Sequence, residues 1–249
     1  LADIYVNDAF GAAHRAHASV AALPLLMHEK AMGLLMEKEL RSLDKLKTNP
    51  EKPYIAVLGG AKVSDKLGIL EALMTKVDAL LIGGAMANTF LVATDKAMGK
   101  SLVESDKLAL ARSILAKADE RRIKIVLPTD LRCARSIDAS RAEIYAAGAV
   151  PEELMALDIG PESEKLFAEH LSGALSVFWN GPMGLFENDA FSLGSLHVAK
   201  AIARLKGAFS VLGGSDSVAA VTQSGLADKF SHVSTGGGAS MEFIEGRRL

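Results

Sequence analysis

The residues best suited to chemistry in this chain are charged and hydroxyl side chains that directly follow glycine pairs. Lys62 and Lys66 come after Gly59 and Gly60 and are four positions apart, a spacing that predicts one shared face in the first turn of a helix. Two ammonium groups there oppose the helix dipole unless a bound anion, such as a polyphosphate, reverses the balance. The alternative is that both lysines are solvated surface residues.

A second turn, GGSDS at 213–217, has the same shape with the opposite charge. Ser215 or Asp216 could cap the next helix, which is the commoner role of such residues and the one that the sequence favours. Alternatively, backbone and hydroxyl groups of this turn bind phosphate while Asp216 holds Mg²⁺, an ion that usually takes one or two carboxylates together with phosphate oxygens.

Three other segments carry candidate ligands. The consecutive glycines Gly236 to Gly238 are entropically costly in an ordered turn, and we interpret them as a nest of N–H groups for an oxyanion. Glu187 ends the run WNGPMGLFE and is either an acceptor for ribose hydroxyls or a surface glutamate. In HRAH at 14–17 the two histidines lack the further ligands of a zinc site, whereas Arg15 suits a phosphate or carboxylate.

Most of these turns lie in the same structural context. Each follows a short apolar run that predicts a strand, and each precedes a helix-like segment. Runs of this kind are YIAVLGG at 54–60, ALLIGGA at 79–85, SVFWNGP at 176–182, FSVLGGS at 209–215 and HVSTGGG at 232–238. The carboxyl ends of parallel strands meet at one edge of a sheet. The five turns are therefore expected to offer bare N–H groups and helix N-termini to a phosphate at that edge.

The wider pattern alternates short apolar strands with helices of ten or more residues, which predicts a doubly wound parallel α/β sheet of Rossmann-like, three-layer type. Strands are expected at 4–7, 54–58, 78–82, 123–127, 175–179, 208–212 and 231–233, and helices at 29–47, 62–75, 84–93, 103–119, 162–172, 189–205, 216–224 and 237–245. The helix at 29–47 could be a spacer between two domains, and residues 129–150 have a less regular pattern.

Bulk composition excludes several classes of protein. Hydrophobic residues are 49% and charged residues 23% of the chain, which is ordinary for a globular domain, and the net charge of -2 provides no basic field for nucleic acid. No apolar run reaches the roughly 18 residues of a membrane span. The single cysteine, Cys133, allows no internal disulfide, so we expect a cytoplasmic protein. Because Leu1 opens in the middle of a strand-like run, we expect a piece of a longer protein.

Taken together, the segments NDAFGAAHRAHAS, LGGAKVSDK, LIGGAMANTFL, VFWNGPMGLFE, LGGSDS and HVSTGGGAS resemble phosphoglycerate kinase, in that family's order and roughly its spacing. The resemblance implies a two-lobed kinase that moves a phosphoryl group reversibly between 1,3-bisphosphoglycerate and ADP with Mg²⁺, giving 3-phosphoglycerate and ATP. It implies that residues 1–28 end the phosphoglycerate lobe, that 29–49 form the interdomain helix and that 50–249 form most of the nucleotide-binding lobe. We expect a cytoplasmic monomer that binds neither membrane nor nucleic acid.

The resemblance also implies a role for each matching residue. Lys62 would accompany the transferring phosphoryl group, Asp216 would face Mg²⁺ and Arg15 would bind phosphoglycerate. The catalytic set would be Lys62, Gly236, Gly237 and Gly238, and the nucleotide-binding set would be Lys66, Gly59, Gly60, Gly83, Gly84, Leu157, Asn180, Pro182, Leu185, Glu187, Gly213, Gly214, Ser215, Asp216 and Ser217. The chain departs from many relatives at Ser215 and Ala156, and from some at Ala85, where those relatives have glycine.

The resemblance further implies that most of the first lobe's basic patch lies before Leu1, so the isolated chain is expected to bind nucleotide with little turnover. One alternative is a nucleotide-binding module without catalysis, against which the presence of Lys62, Lys66 and Asp216 argues. The other is a Rossmann dehydrogenase. That class requires a G-x-G-x-x-G turn with an acidic residue about twenty positions later, and none of the glycine turns has this spacing.

Overall fold

The computed structural model describes residues 2–249, in which strands alternate with helices. The strands are β1 (Ile4–Asn7), β2 (Glu29–Met32), β3 (Tyr54–Leu58), β4 (Ala79–Ile82), β5 (Ala97–Met98), β6 (Lys124–Val126), β7 (Asp130–Ala134), β8 (Glu143–Ala146), β9 (Ala149–Val150), β10 (Met155–Ile159), β11 (Ser176–Asn180), β12 (Phe209–Gly213) and β13 (His232–Val233). The helices are α1 (Leu23–Leu26), α2 (Leu34–Thr48), α3 (Leu67–Leu73), α4 (Gly84–Ala93), α5 (Leu108–Glu120), α6 (Pro161–Leu171), α7 (Leu193–Ala203), α8 (Ser215–Gln223) and α9 (Gly237–Glu245).

Six strands form one parallel sheet in the order β13-β12-β11-β3-β4-β6. The chain builds outward from β3 through β4 and β6, and then returns to the other side of β3 with β11, β12 and β13. The strand order therefore reverses between β3 and β11, the place where open α/β sheets bind their ligands. The five strands that carry glycine turns are neighbours in the sheet, which confirms that their turns meet at one edge.

Helices cover both faces of this sheet, because its strands carry apolar side chains in both directions. Along the fully buried β3, Tyr54, Ala56 and Leu58 enter a core shared with α2, α3, α4, α5 and α9. The alternate residues Ile55 and Val57 enter a second core shared with α6, α7 and α8. The predicted three-layer, doubly wound α/β fold is confirmed.

The expectation of an irregular segment at 129–150 is wrong. Strands β7, β8 and β10 form a small antiparallel sheet in the order β10-β7-β8. Every residue of β7 is buried, although the strand contains Asp130 and Arg132. Ser163 donates to Asp130 at 2.7 Å and Glu164 pairs with Arg132 at 2.5 Å, both from α6. These charged residues interrupt the apolar run, and the partners that permit their burial are distant in sequence.

The helix predicted at 29–47 starts later than expected, at Leu34. Residues Glu29–Met32 instead form β2, which pairs in parallel with β1. The carboxylate of Asp8 accepts a hydrogen bond from the Met36 N–H at 2.8 Å, and the Gly33 N–H donates to the Asn7 carbonyl at 2.8 Å. The start of α2 is therefore fixed by residues more than twenty positions earlier, which local periodicity does not detect.

In three other regions predicted to be helical, a short 3-10 turn precedes the α-helix. Residues Ser64–Lys66 precede α3, Ser105–Lys107 precede α5 and Asp189–Phe191 precede α7. Lys62 consequently lies outside α3, so the predicted shared helix face for Lys62 and Lys66 is wrong. Within residues 2–249, each helix is either too short or too polar to cross a membrane.

Candidate functional site

The turns at 59–60, 83–84 and 181–183, which we call the glycine wall, interlock at the centre of the sheet edge. Their N–H groups are already used by the chain itself. Gly59 donates to the Asn180 carbonyl, Gly60 to Pro182, Gly83 to Leu58 and Gly84 to Met183, each at 2.9 Å. The expectation of bare N–H groups is therefore wrong for these turns.

The glycines of the wall are required by the close approach of one turn to the next. A Cβ on Gly59 would lie 2.6 Å from the Gly181 carbonyl oxygen, and a Cβ on Gly84 would lie 2.5 Å from the Gly60 nitrogen. Gly60, Gly84 and Gly181 also have φ values of 98°, 65° and 94°, which glycine adopts without steric cost. The wall is consequently a fixed surface of backbone against which a ligand can lie.

A cavity of about 320 Å³ opens beside the glycine wall. The predicted residues that line it are Gly60, Gly84, Leu157, Pro182, Leu185, Glu187 and Asp216. Gly59 and Gly83 belong to the wall but do not line the cavity. Glu187 and Asp216 are exposed carboxylates among mostly apolar neighbours, and an apolar cleft with a few polar groups is typical of a small-molecule site.

Sequence reasoning missed part of the cavity lining. Leu131 comes from β7 and Met155 from β10, and both line the cavity. Leu102 and Ile137 also line it and keep 57% and 54% of their surface exposed, so the cleft offers uncovered aliphatic surface. Recognition of strands within 129–159 would have been the signal for Leu131 and Met155.

The amine of Lys66 lies at the centre of the sheet edge. Its side chain is buried, and Nζ donates a hydrogen bond to Asn180 Oδ1. Burial lowers the pKa of Lys66 to about 8, against the opposing effect of Asp65 and Asp216. A desolvated ammonium with a depressed pKa gains from a bound anion. Lys62, in contrast, is exposed.

The amide of Asn180 contributes an unpaired donor beside Lys66. Its Nδ2 atom is buried and has no hydrogen-bond partner within residues 2–249. A Cβ built on Gly213 or Gly214 would lie 3.3 Å from this atom, so Nδ2 faces the turn that opens α8. Buried donors in native structures nearly always have a partner, and an anion at this turn would provide one.

The helix α8 begins without a side-chain cap. Neither Ser215 nor Asp216 bonds to a backbone N–H at the start of α8, so the favoured interpretation of these residues as caps is wrong. Both are exposed, and Ser215 Oγ lies 3.0 Å from Asp216 Oδ1. Ser217 is buried, and its hydroxyl accepts a hydrogen bond from the Gly181 N–H at 2.5 Å, which ties α8 to the glycine wall.

The helix α9 also begins without a side-chain cap. The first-turn N–H groups of both helices make no hydrogen bond within residues 2–249; they belong to Ser215, Asp216, Ser217, Gly237, Gly238 and Ala239. We call these two first turns the open end. A Cβ on Gly237 would lie 2.8 Å from the Gly214 Cα, so the two helix starts are in contact. Two helix N-termini side by side favour a bound anion.

The triple glycine at 236–238 also has a packing role that the sequence did not indicate. A Cβ on Gly236 would lie 2.8 Å from Phe10 Cδ1, and a Cβ on Gly238 would lie 2.7 Å from His14 Nε2. The turn is thus compressed between the amino-terminal segment and α8. Arg15 follows His14, is exposed, and lines a separate cavity of about 390 Å³.

Comparison with known proteins identifies the family. The model of the phosphoglycerate kinase family matches residues 1–247. The phosphoglycerate kinases of Koribacter versatilis and Thermus thermophilus are 53% and 54% identical to this chain, in alignments that cover 100% and 98% of the chain but 62% and 63% of those proteins. The chain belongs to the phosphoglycerate kinase family.

Solved structures of the family share the fold described above. Phosphoglycerate kinase from Coxiella burnetii matches with a TM-score of 0.93 and 40% identity, covering 100% of this chain and 65% of that one. The enzyme from Pyrococcus horikoshii matches with a TM-score of 0.86 and 34% identity, covering 99% and 62%. The resemblance inferred from the motifs is confirmed, and the dehydrogenase alternative is wrong. The chain spans less than two thirds of the length of the curated relatives it matches.

In this member of the phosphoglycerate kinase family, Glu39 joins α2 to β13 and to the turn that precedes α9. The Glu39 carboxylate is fully buried, lies 2.7 Å from His232 Nε2, and accepts from the N–H and hydroxyl of Thr235 at 2.6 and 2.8 Å. Burial alone would raise the Glu39 pKa, but these hydrogen bonds bring the pKa below its ordinary value. Sequence reasoning missed Glu39, although its position in the helix was a signal. A charged residue there interrupts the apolar stripe between Met36 and Leu43.

Another buried carboxylate in this phosphoglycerate kinase fold, that of Asp158, lines the cavity. It accepts a hydrogen bond from the Gly194 N–H at 2.7 Å and lies 3.6 Å from the Arg132 guanidinium. Burial raises the pKa of Asp158 to about 8 against the opposing effect of these neighbours. These contacts hold Asp158 between the cavity and α7.

Proposed function

We propose that the protein catalyses the phosphoglycerate kinase reaction, the reversible transfer of a phosphoryl group from 1,3-bisphosphoglycerate to ADP that gives 3-phosphoglycerate and ATP. The observation that carries the proposal is the meeting of the Lys66 amine, the unpaired Asn180 amide and the open end beside an apolar cavity. An anion site next to a slot with apolar walls is the combination that a nucleotide requires.

The nucleotide would lie with its base in the cavity and its phosphates toward α8. The glycine wall, Leu157 and Leu185 would contact the base, and the exposed Glu187 carboxylate would accept from the ribose hydroxyls. The phosphates would take the N–H groups of the first turn of α8 together with the Lys66 ammonium. The binding energy would then come from apolar contact at one end and charge neutralisation at the other.

Phosphoryl transfer would take place between α9 and the amino-terminal segment. The first-turn N–H groups of α9 point to the transferring group in this proposal, Lys62 neutralises its charge, and Arg15 binds phosphoglycerate. The packing of Phe10 and His14 against 236–238 keeps the two substrate sites adjacent. Phosphoryl transfer depends mainly on in-line positioning and charge stabilisation, so the carboxylate of phosphoglycerate can act as acceptor without a covalent enzyme intermediate.

The residues of the open end fit a magnesium ion that is shared with the nucleotide. Within residues 2–249 there is no group of three or more side chains able to hold a metal by themselves, and the exposed Asp216 carboxylate lies at the uncapped start of α8. Mg²⁺ commonly takes one or two carboxylates and completes its shell with phosphate oxygens and water. Asp216 would hold the ion, which when bound neutralises charge on the phosphates.

The domain assignment follows from the same proposal. Residues 50–249 would form most of the nucleotide-binding lobe, α2 would connect the lobes, and the segment before it would belong to the phosphoglycerate lobe. Much of the phosphoglycerate site would then lie in a lobe that this chain does not contain. We therefore propose that the chain alone binds MgADP and MgATP with little turnover, and that the whole protein is a cytoplasmic monomer.

Calorimetry with MgADP and a coupled kinase assay test the proposal together. The 249-residue chain should bind MgADP and show little turnover, whereas the full-length protein should be active. In the full-length protein, Lys62→Ala should lower the rate by orders of magnitude with a modest loss of nucleotide affinity. An active full-length Lys62→Ala enzyme would remove the proposed role of Lys62, and an inactive wild type would favour a binding module.

A further inference from the structure

We propose that Asn188 is a positioning residue for the nucleotide, which ties the exposed segment 135–140 across the outer end of the cavity and so strengthens nucleotide binding. The inference rests on the proposed function, because it states that the side chain of Asn188 keeps one wall of the proposed nucleotide cavity ordered. Segment 135–140 follows β7, and Asn188 follows the proposed ribose acceptor Glu187 directly. The tether therefore joins the two sides of the cavity mouth.

The hydrogen bonds of Asn188 define the tether. Its Nδ2 atom donates to the carbonyl oxygens of Ile137 and Ala139, each at 2.9 Å. Its Oδ1 atom accepts from the Ala190 N–H at 3.0 Å. Because an N–H must face the amide oxygen, the NH₂ group must face the two carbonyls, and the orientation of the side chain follows from its partners. Both amide protons have a partner in segment 135–140.

Segment 135–140 has few other connections to the rest of the protein. Its remaining hydrogen bonds within residues 2–249 are local, from the N–H groups of Asp138 and Ala139 to Ser136 at 3.2 Å. An ion pair between Arg135 and Glu153 at 3.7 Å is exposed on both sides and contributes little. Asn188 is thus the main polar connection of this segment across the cavity mouth.

The tether holds the carbonyl of Ile137, and the side chain of the same residue lines the cavity proposed for the nucleotide. Ile137 lines the 320 Å³ cavity and also an adjoining cavity of about 790 Å³, and Leu185 and Glu187 line both as well. Ile137 is 54% exposed, so its apolar surface is available to a base rather than used in the core. Without the tether, nucleotide binding would have to order the segment, and that conformational entropy would weaken the affinity.

The chain offers a near-isosteric variant that removes the donor of the tether. In Asn188→Asp the side chain can still accept from the Ala190 N–H, but it cannot donate and it places a carboxylate against two carbonyls. Ser192→Ala is a matched control, because its exposed hydroxyl bonds to Asp189 in the same loop at 3.2 Å and does not contact segment 135–140.

Calorimetry with MgADP, thermal melting and amide hydrogen exchange of residues 135–142 form the test. Asn188→Asp should weaken MgADP binding about tenfold, the factor that corresponds to one or two net hydrogen bonds, while the melting temperature stays close to that of the wild type. MgADP should protect residues 135–142 from exchange in the wild type and in Ser192→Ala, and much less in Asn188→Asp.

Two results would overturn the inference. One is unchanged MgADP affinity in Asn188→Asp, and the other is an affinity loss that comes with a lowered melting temperature and faster exchange throughout the lobe, since Asn188 would then serve only stability. A wild-type chain that binds no MgADP would overturn the proposed function and with it this inference. Normal wild-type binding with an unaffected variant would overturn the inference alone.

Discussion

The glycine wall and the open end arise from the same sequence pattern and have opposite properties. In both, an apolar parallel strand ends in glycines that precede a helix. In the wall, which follows the adjacent strands β11, β3 and β4, neighbouring turns accept each other's N–H groups. In the open end, which follows the neighbouring strands β12 and β13, the first-turn N–H groups remain without intramolecular partners over residues 2–249.

A glycine turn can therefore become an anion site only where no neighbouring carbonyl accepts a hydrogen bond from its N–H groups. The N–H groups of the wall donate to backbone carbonyls, and these hydrogen bonds make the wall a rigid surface. The open end keeps its donors and depends on a ligand to satisfy them. We therefore expect substitutions in the wall to affect stability most and substitutions near the open end to affect binding most.

The largest expected effect is on stability, from Gly84→Ala in the wall. The new Cβ would lie 2.5 Å from the Gly60 nitrogen, and φ at this position is 65°. Overpacking of backbone adds to the left-handed strain, so unfolding in urea should show a loss of about 3 kcal/mol or more. Gly207→Ala is the control, because φ there is 75° but nothing lies within 4 Å of its Cβ. That variant should lose only about 1 kcal/mol, and equal losses would contradict the interlocked wall.

The next largest effect is on binding, from Lys66→Met. This change removes the buried ammonium and keeps an apolar chain of similar length, so MgADP affinity should fall on the order of 10- to 100-fold. Stability should stay the same or rise, because a desolvated charge is removed. Calorimetry and thermal melting measure the two effects, with the exposed Lys229→Met as control. Unchanged affinity would place the phosphates away from Lys66.

Asp216→Asn should alter the effect of magnesium. The wild type should bind MgADP about tenfold more tightly than free ADP, because Asp216 attracts the ion and repels the bare phosphates. The variant should bind the two forms with similar affinity. Calorimetry with and without Mg²⁺ gives this ratio, and Asp228→Asn, which changes an exposed carboxylate beyond α8, should keep the wild-type ratio. A variant that retains the magnesium preference would exclude Asp216 as the ligand.

The smallest expected effect is a pH dependence of nucleotide binding. The Lys66 pKa is lowered to about 8 by burial, so the free chain loses this charge as pH rises through that value, and MgADP affinity should fall about fivefold between about pH 8 and 9. Stability should change in the opposite sense. A lysine with a lowered folded pKa binds fewer protons in the folded state, so the free chain gains stability as pH rises toward the unfolded pKa. Lys66→Met should remove both trends, and their persistence would assign them to another group.

The sequence was sufficient for the main sheet, because β3, β4 and β11 are continuous apolar runs followed by glycines. It was insufficient where a stabilising partner is distant in the chain. The capping of α2 by Asp8 and the burial of Arg132 against Glu164 depend on contacts between separate segments, so the start of α2 and strand β7 were missed. Periodicity reports a helix or strand only when local residues determine it.

For the site, the sequence identified the turns but not the state of their N–H groups. Whether Gly60 donates to a ligand or to Pro182 depends on which turns become neighbours, and that is a property of strand order. The triple glycine similarly packs against Phe10 and His14. These two residues lie more than two hundred positions earlier in the chain. Glu39 was detectable, since it interrupts an apolar stripe, although its partner His232 was not.

Residue-resolved amide hydrogen exchange of the 249-residue chain, with and without MgATP, tests the central claim most directly. In the free chain, the amides of Gly59, Gly60, Gly83 and Gly84 should exchange slowly, and those of 215–217 and 237–239 should exchange fast. MgATP should slow the second group strongly and leave the first nearly unchanged. Fast exchange of the wall amides in the free chain, with protection of the wall rather than the open end by MgATP, would contradict the account.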